Sequence, residues 1–203
     1  MLIAICGIDG SGKTTQIKML SKRLSQYSEI YVTKQPTDFY RTYDRFRKVV
    51  NREIAMNENI IYELALLAAS DKRRHYEDEI YHNRNKIILC DRYIYSGYAY
   101  FIARGFSEIN WLTSLNEGLL LPDFTFYIDV PPEVALSRIV ERDGKSTKKE
   151  ESDFVFMKKV RSCFLEQPWG KHENYYIVNG LQSVTEINNY IYKIIMNRIE
   201  GSE

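Results

Sequence analysis

The sequence predicts an α/β fold, a parallel sheet with helices on both faces, and three observations carry that expectation. Five short apolar runs alternate with longer segments of helical spacing. The first run leads straight into a glycine-rich loop, and no repeat, low-complexity tract or linker breaks the alternation. At 203 residues the chain fits one domain, residues 1–203, long enough to bury about two-thirds of its unfolded surface.

The expected strands are Leu2 to Cys6, Glu29 to Thr33, Lys86 to Cys90, Phe124 to Asp129 and Tyr175 to Asn179, each an apolar run bounded by turn or polar residues. After the first strand, Thr14 to Ser25 sets Ile17, Leu20 and Leu24 on one helical face. Pro36 and Thr37 mark the turn out of the second strand. Ile60 to Tyr81 carries a broad apolar face for over five turns, and Pro132 opens a helix at its first position, with Val134, Leu136 and Ile139 inside. The one compositional break is "ERDGKSTKKEESD", Glu141 to Asp153, charged and without large apolar groups. It reads as a solvated loop or as a basic lid over a site.

Composition excludes several classes. With 28 Lys+Arg against 27 Asp+Glu, the net charge of +1 supplies no overall field for nucleic acid or an acidic membrane, so any anion must be met by a local cluster. Cys6, Cys90 and Cys163 are an odd number without C-x-x-C spacing, which fits neither a disulfide framework nor a zinc site. Three reduced, buried thiols are expected, with Cys6–Cys90 pairing as the alternative because both end strands. No run approaches the roughly 18 apolar residues of a membrane span, and the chain opens directly on a strand. The expectation is a soluble, cytoplasmic protein.

Gly7-Ile8-Asp9-Gly10-Ser11-Gly12-Lys13-Thr14 matches G-x-x-x-x-G-K-[ST] in full, between a strand and a helix. In such a loop the glycines let backbone N–H groups turn inward around a phosphate, and the helix N-terminus adds its positive end. Lys13 reaches the β and γ oxygens, and Thr14 ligates Mg²⁺. Thr15 continues the nucleotide-binding run. The loop alone does not separate kinases from switch GTPases, motor ATPases or binding modules. A guanine-binding switch requires N-K-x-D after a strand, whereas Asn85 to Ile88 reads "NKII". Asp9 would repel a phosphate if it pointed inward, so it faces a second, hydroxyl-bearing substrate or caps a turn.

A second cluster follows the third strand, where Asp91 and Arg92 reach the carboxyl edge at which ligands of open α/β sheets collect. Asp91 suits a magnesium water, and Arg92 can fork onto a phosphoryl oxygen in a geometry lysine cannot copy.

With these residues in hand the chain resembles the thymidylate kinases, in the nucleoside monophosphate kinase branch of P-loop proteins. The carriers are "GIDGSGKTTQ", "TKQPT", "DRYIYS" with Ala99-Tyr100, "PDFTFYIDVPPEVALSRI" and "KKVRSCFLE", in the family's order over nearly the whole chain. The resemblance implies a P-loop NTPase fold with a five-stranded parallel sheet and a small mobile lid, about 141–153. It also implies a homodimer and transfer of the ATP γ-phosphoryl to dTMP with Mg²⁺. Lys13, Arg92, Asp91 and a lid arginine, Arg142 or then Arg138, would carry catalysis, with Thr14 and Asp91 on the metal. The acid at Asp9 would face the acceptor's 3′-hydroxyl, and Tyr100 would pack near C2′ of the sugar. Ser96 and Gly97 fall in the acceptor segment. The adenine is expected near Asn179, Gly180 and Gln182.

Departures from the family pattern concentrate on the acceptor. Where the family carries a phenylalanine that stacks on thymine and an arginine that reads it, this chain has Ala68 and Lys72; where it carries a glutamine after Ala-Tyr, this chain has Phe101. Phe101 can restore the lost stacking surface or be core, and Arg73 or Arg74 replaces the lost arginine only if the register shifts. Gly10 stands where some members carry a phosphate-loop arginine, and Gln35 precedes Pro36 where a glutamate is usual. Arg45 or Arg47 is expected to face the acceptor phosphate. The alternatives left open are a kinase of deoxynucleosides, a kinase of another monophosphate, and a non-catalytic nucleotide-binding paralogue.

Overall fold

In the computed structural model of the protein, which describes residues 1–144 and 153–201, the sheet is built outward from its first strand. β1, Leu2–Cys6, is buried at every position, as a continuous apolar run must be when helices cover both faces. It pairs in parallel with β3, Ile87–Asp91, on one side and β4, Phe124–Asp129, on the other. β2, Ile30–Lys34, and β5, Tyr175–Asn179, complete the order β2-β3-β1-β4-β5. Because β2 and β3 lie on one side of β1 and β4 and β5 on the other, the strand order reverses at β1 and a crevice opens at its carboxyl end.

Three expected strands match residue for residue, while β2 and β3 lie one residue later than expected. Asp91 is the last residue of β3 rather than the first beyond it, since its backbone pairs with Ile5 and with Lys34. Pairing partners, invisible to a local pattern, extend the strand.

α1, Lys13–Leu24, buries Ile17, Leu20 and Leu24 as their spacing requires. Gln16 is buried too, and fastens α1 to α9, Val184–Glu200, through Val184 O at 3.0 Å and Asn188 Nδ2 at 3.1 Å. Two short helices, α2, Asp38–Arg41, and α3, Asp44–Val50, follow β2. α4 spans Glu58–His75, capped by the Asn57 side chain on Ile60 N at 3.0 Å. It stops short of the expected Tyr81: a π turn, Tyr76–Ile80, and a 3₁₀ turn, Tyr81–Asn83, take its place. The cause is polar. The widened turn brings the Glu79 carboxylate to β2, where it accepts from Tyr31 Oη at 2.9 Å and Thr33 Oγ1 at 2.7 Å.

α5, Ile94–Ala103, and α6, Ile109–Ser114, precede β4. α7, Pro132–Asp143, begins with Pro132 in the first turn, where its missing N–H costs nothing. Most of the expected lid, residues 145–152, lies outside the described residues. α8, Phe154–Glu166, starts at Asp153, whose Oδ1 accepts from Phe156 N at 3.1 Å and whose carboxylate also pairs with Arg52. Asp153→Ala removes a helix cap and is expected to cost about 1 kcal/mol, read as a fall in Tm of about 2–4 °C.

The apolar face of α5 is buried within the chain, with the Tyr100 and Phe156 rings 5.9 Å apart. On α4, by contrast, Leu66 is 52 % exposed. The three cysteines are buried thiols, not a bonded pair; burial pushes Cys6 up to about 11 and raises Cys90, so both stay protonated. Among the described residues no helix is long and apolar enough to cross a membrane.

Candidate active site

The loop between β1 and α1 sits at the sheet's central carboxyl edge. Gly10 has φ 81°, and a Cβ there would lie 2.3 Å from Ala135 O of α7, so no side chain fits. Gly12 caps α1 at φ 99°. Ser11 Oγ is buried without a hydrogen-bond partner, and Thr14 and Thr15 are exposed on the first turn of α1. Lys13 is buried, its ammonium donating to Ile8 O at 2.9 Å and Gly7 O at 3.2 Å, with the Asp9 carboxylate 3.7 Å away. Burial and Arg92 lower its pKa, while Asp9 and Asp91 oppose that shift.

Arg92 follows β3 in the left-handed region, φ 66°, held there by its N–H on Ile5 O of β1 at 2.9 Å. Its Nη2 donates to Asp9 Oδ1 at 2.7 Å, its Cζ lies 4.9 Å from the centre of the Tyr100 ring, and its buried Nη1 makes no hydrogen bond. Burial works against the charge, but Tyr100, Asp9 and Asp91 outweigh it and hold the pKa well above the ordinary value. Asp9 therefore turns out of the phosphate loop toward Arg92 and the adjoining cleft.

That cleft, about 330 Å³, is lined by Asp9, Pro36, Arg47, Ala68, Lys72, Arg92, Ser96, Gly97, Tyr100 and Phe101, all expected from the sequence. It is also lined by Gln35, Tyr40, Arg41, Phe46, Val50, Asn51, Tyr93 and Arg104, which sequence reasoning did not single out as site residues. Arg45 is a correction: it does not line the cleft and pairs with Glu63. Residues two apart on a helix point to opposite sides, so with Arg47 inward Arg45 is outward. Arg41, whose Nε donates to Pro36 O at 2.7 Å, lies on a four-residue helix too short for periodicity to signal. Arg73 and Arg74 stay on the solvent side, Arg73 on Glu117 O and Arg74 over the Phe39 ring.

The turn into α2 is fastened by Asp71, fully buried on α4, which accepts from Gln35 Nε2 at 2.5 Å, from Thr37 N at 3.0 Å and from Thr37 Oγ1. Next to it Lys72 is buried at 4 % exposure, its ammonium on Ala68 O at 3.2 Å and its stem against Gly97, where a Cβ would meet Cε at 3.5 Å. Burial pulls its pKa down to about 8, against the pull of Asp71. Below pH 8 the folded chain carries a desolvated ammonium; above it, the folded chain has shed that proton while an unfolded lysine has not. Lys72→Met is thus expected to stabilise the fold at pH 7 by on the order of 3 kcal/mol at most, read as a higher Tm, with the gain shrinking as pH rises above 8.

On the opposite side of the phosphate loop, Arg138 Nη2 donates to Gly180 O at 3.1 Å, and Gly180 N donates to Asp129 O at 2.8 Å. Asn179 Oδ1 accepts from Leu181 N at 3.0 Å, closing the turn after β5. Arg138, Asn179 and Gly180 thus form one neighbourhood. Arg142, the first-choice lid arginine, is engaged by its neighbour Asp143 through Nε at 2.7 Å and Nη2 at 2.5 Å, and lines neither cavity.

Thr14 and Asp91 line a second cavity, about 690 Å³, together with Thr33, Lys34, His75 and Glu79. Asp91 Oδ1 is buried and unpartnered. A hydroxyl and a carboxylate beside a phosphate loop suit Mg²⁺, a hard cation that takes few protein oxygens and completes its shell with water and phosphate. No group of three His, Cys, Asp or Glu among the described residues offers an all-protein metal cage.

A sequence model of the family described as "Thymidylate kinase" matches residues 5–191. The chain belongs to the thymidylate kinase family. The thymidylate kinase of Staphylococcus haemolyticus is 31% identical over 198 residues, covering 94% of this chain and 95% of that protein. The probable thymidylate kinases of Pyrococcus horikoshii and Thermococcus kodakarensis are each 34% identical, over 204 and 209 residues, covering 98% and 96% of this chain and 97% of each relative. Both the phosphate loop from Gly7 and the Asp91-Arg92 pair fall within the residues matched by the thymidylate kinase model.

Proposed function

We propose that the protein is an ATP-dependent thymidylate kinase, passing the γ-phosphoryl of ATP to the 5′-phosphate of dTMP to give dTDP and ADP. The observation that carries this reading is the place of Arg92: buried between the phosphate loop and the acceptor cleft, tied to Asp9 by one nitrogen, with the other nitrogen available to a phosphoryl oxygen. Phosphoryl transfer needs positioning and charge neutralisation more than covalent chemistry. Lys13, held by the carbonyls of its own loop, would turn onto the β and γ oxygens. Arg92 would bridge donor and acceptor phosphates, and Asp9 would orient both Arg92 and the acceptor sugar. Thr14 and Asp91 would hold Mg²⁺, which would supply neutralisation of phosphate charge.

Arg41 and Arg47 join Arg92 in the cleft, which favours an acceptor already carrying a phosphate over an unphosphorylated deoxynucleoside. Arg138, Asn179 and Gly180 would border the adenine, and Tyr100 would pack on the sugar. Ala68 and Phe101 both line the cleft, so an aromatic surface is offered from α5 rather than α4. The chain is read as one catalytic domain that works in the cytoplasm and pairs as a homodimer through the α4 face bearing Leu66. The test is ADP formation from Mg-ATP with dTMP, dUMP, UMP, dCMP and thymidine offered separately. Fastest turnover with dTMP is the expected result; a preference for thymidine or for another base would replace this reading.

A further inference from the structure

Gln16 is a buried amide that the phosphate chemistry does not call for. It lies one helical turn after Lys13 on α1, the helix that the phosphate loop opens, and is 2 % exposed. Both ends of its amide are spent on α9: Nε2 donates to Val184 O at 3.0 Å, and Oε1 accepts from Asn188 Nδ2 at 3.1 Å. Asn188 is fully buried, and its Oδ1 accepts in turn from Arg23 Nη1 at 2.7 Å, two turns further along α1. Arg23 is itself held by Asn189 Oδ1 at 2.8 Å and by the Tyr192 ring, whose centre lies 3.6 Å from Cζ.

Val184 is the first residue of α9, directly after the turn that leaves β5. The near end of that turn is fixed at Gly180, whose N–H donates to Asp129 O at 2.8 Å and whose carbonyl accepts from Arg138, in a space so tight that a Cβ there would lie 2.4 Å from Val130 Cγ2. The far end is tied to α1 by the Gln16 bond to Val184 O. The capping box of Ser183 and Glu186 is internal to α9 and sets no distance to the phosphate loop. Apolar packing between the helices is non-directional, so the directional bonds are what fix their register. Between the two fixed ends Leu181 is 56 % exposed, an apolar side chain still to be covered.

We propose that Gln16 is a positioning residue, backed by Asn188 and Arg23, which holds the turn after β5 in register with the phosphate loop so that a nucleoside triphosphate is gripped at its base and its phosphates at once. The proposal rests on the reading of that turn as the border of the adenine. In the donor the base and the phosphates are joined through one sugar, so both halves of the site contribute fully only when their spacing matches that length. Binding of the phosphates then makes binding of the base nearly intramolecular, and a slack turn loses that gain. Loosening Gln16 therefore weakens ligands that carry a base and spares those that are phosphate alone.

The experiment is equilibrium binding of Mg-ATP and of magnesium tripolyphosphate, which has the phosphates without the nucleoside, to the full-length protein. The wild type is expected to prefer ATP. Gln16→Met fills the space without the two hydrogen bonds and is expected to weaken ATP by about tenfold, while tripolyphosphate changes by less than about twofold. Arg23→Met, at a half-buried position outside the core, is expected to weaken ATP by about threefold in the same selective way. A purely structural role would lower Tm and leave the ratio of the two Kd values where it was. An unchanged ratio in Gln16→Met, or in Arg23→Met if Gln16→Met does not fold, would overturn the proposal, and so would equal weakening of both ligands. A wild type that binds ATP no more tightly than tripolyphosphate would overturn the adenine reading and the proposal with it. The expected binding without phosphoryl transfer to dTMP would overturn only the proposed activity.

Discussion

Arg92→Lys is expected to lower kcat with dTMP by about 10²- to 10³-fold, the usual cost of removing one preorganised donor from a developing phosphoryl charge. The comparison is clean in its backbone, because lysine meets the same left-handed conformation that arginine occupies at φ 66°. What changes is the fork. The guanidinium spends Nη2 on Asp9 and keeps Nη1 in hand, whereas one ammonium must choose between the carboxylate and the phosphoryl group. Steady-state kinetics separate the two roles of the residue. A fall confined to kcat places it on the transferring group, and a rise in KM for dTMP with kcat unchanged places it on the acceptor alone.

Gly10→Ala is the second large expectation. The added methyl would sit 2.3 Å from Ala135 O, in a backbone conformation, φ 81°, that costs an L-residue about 1–2 kcal/mol before any clash. Since Ala135 is fully buried on α7, the helix cannot step aside without disturbing the core. A loss of about 2–4 kcal/mol is expected, read as a Tm lowered by roughly 5–15 °C, with weaker ATP binding as the loop rearranges. The same contact explains why a phosphate-loop arginine has no place here.

The sheet was legible because each strand announces itself locally: three of five strands match to the residue, and the two that shift do so where pairing across the sheet decides the end. The phosphate loop was legible for a different reason, since its function demands fixed residues at fixed spacing. The acceptor cleft was legible only in part. Its arginine on α3 follows from helix geometry once one member of the Arg45 and Arg47 pair is known to face inward, but Arg41 sits on a helix too short for periodicity to signal. Asp71 and Gln35, 36 positions apart, meet only in three dimensions, and Asp71 carries no motif. The π turn after α4 is likewise set by the long-range reach of Glu79 to β2.

The central claim, that this cleft and phosphate loop join ATP to a phosphorylated pyrimidine acceptor, is met most directly by following the labelled γ-phosphoryl of ATP in the presence of Mg²⁺ and dTMP. Label recovered on dTDP, and lost when Lys13 is replaced by alanine, is the expected result. Label released as inorganic phosphate, or carried onto thymidine but not onto dTMP, would contradict the account.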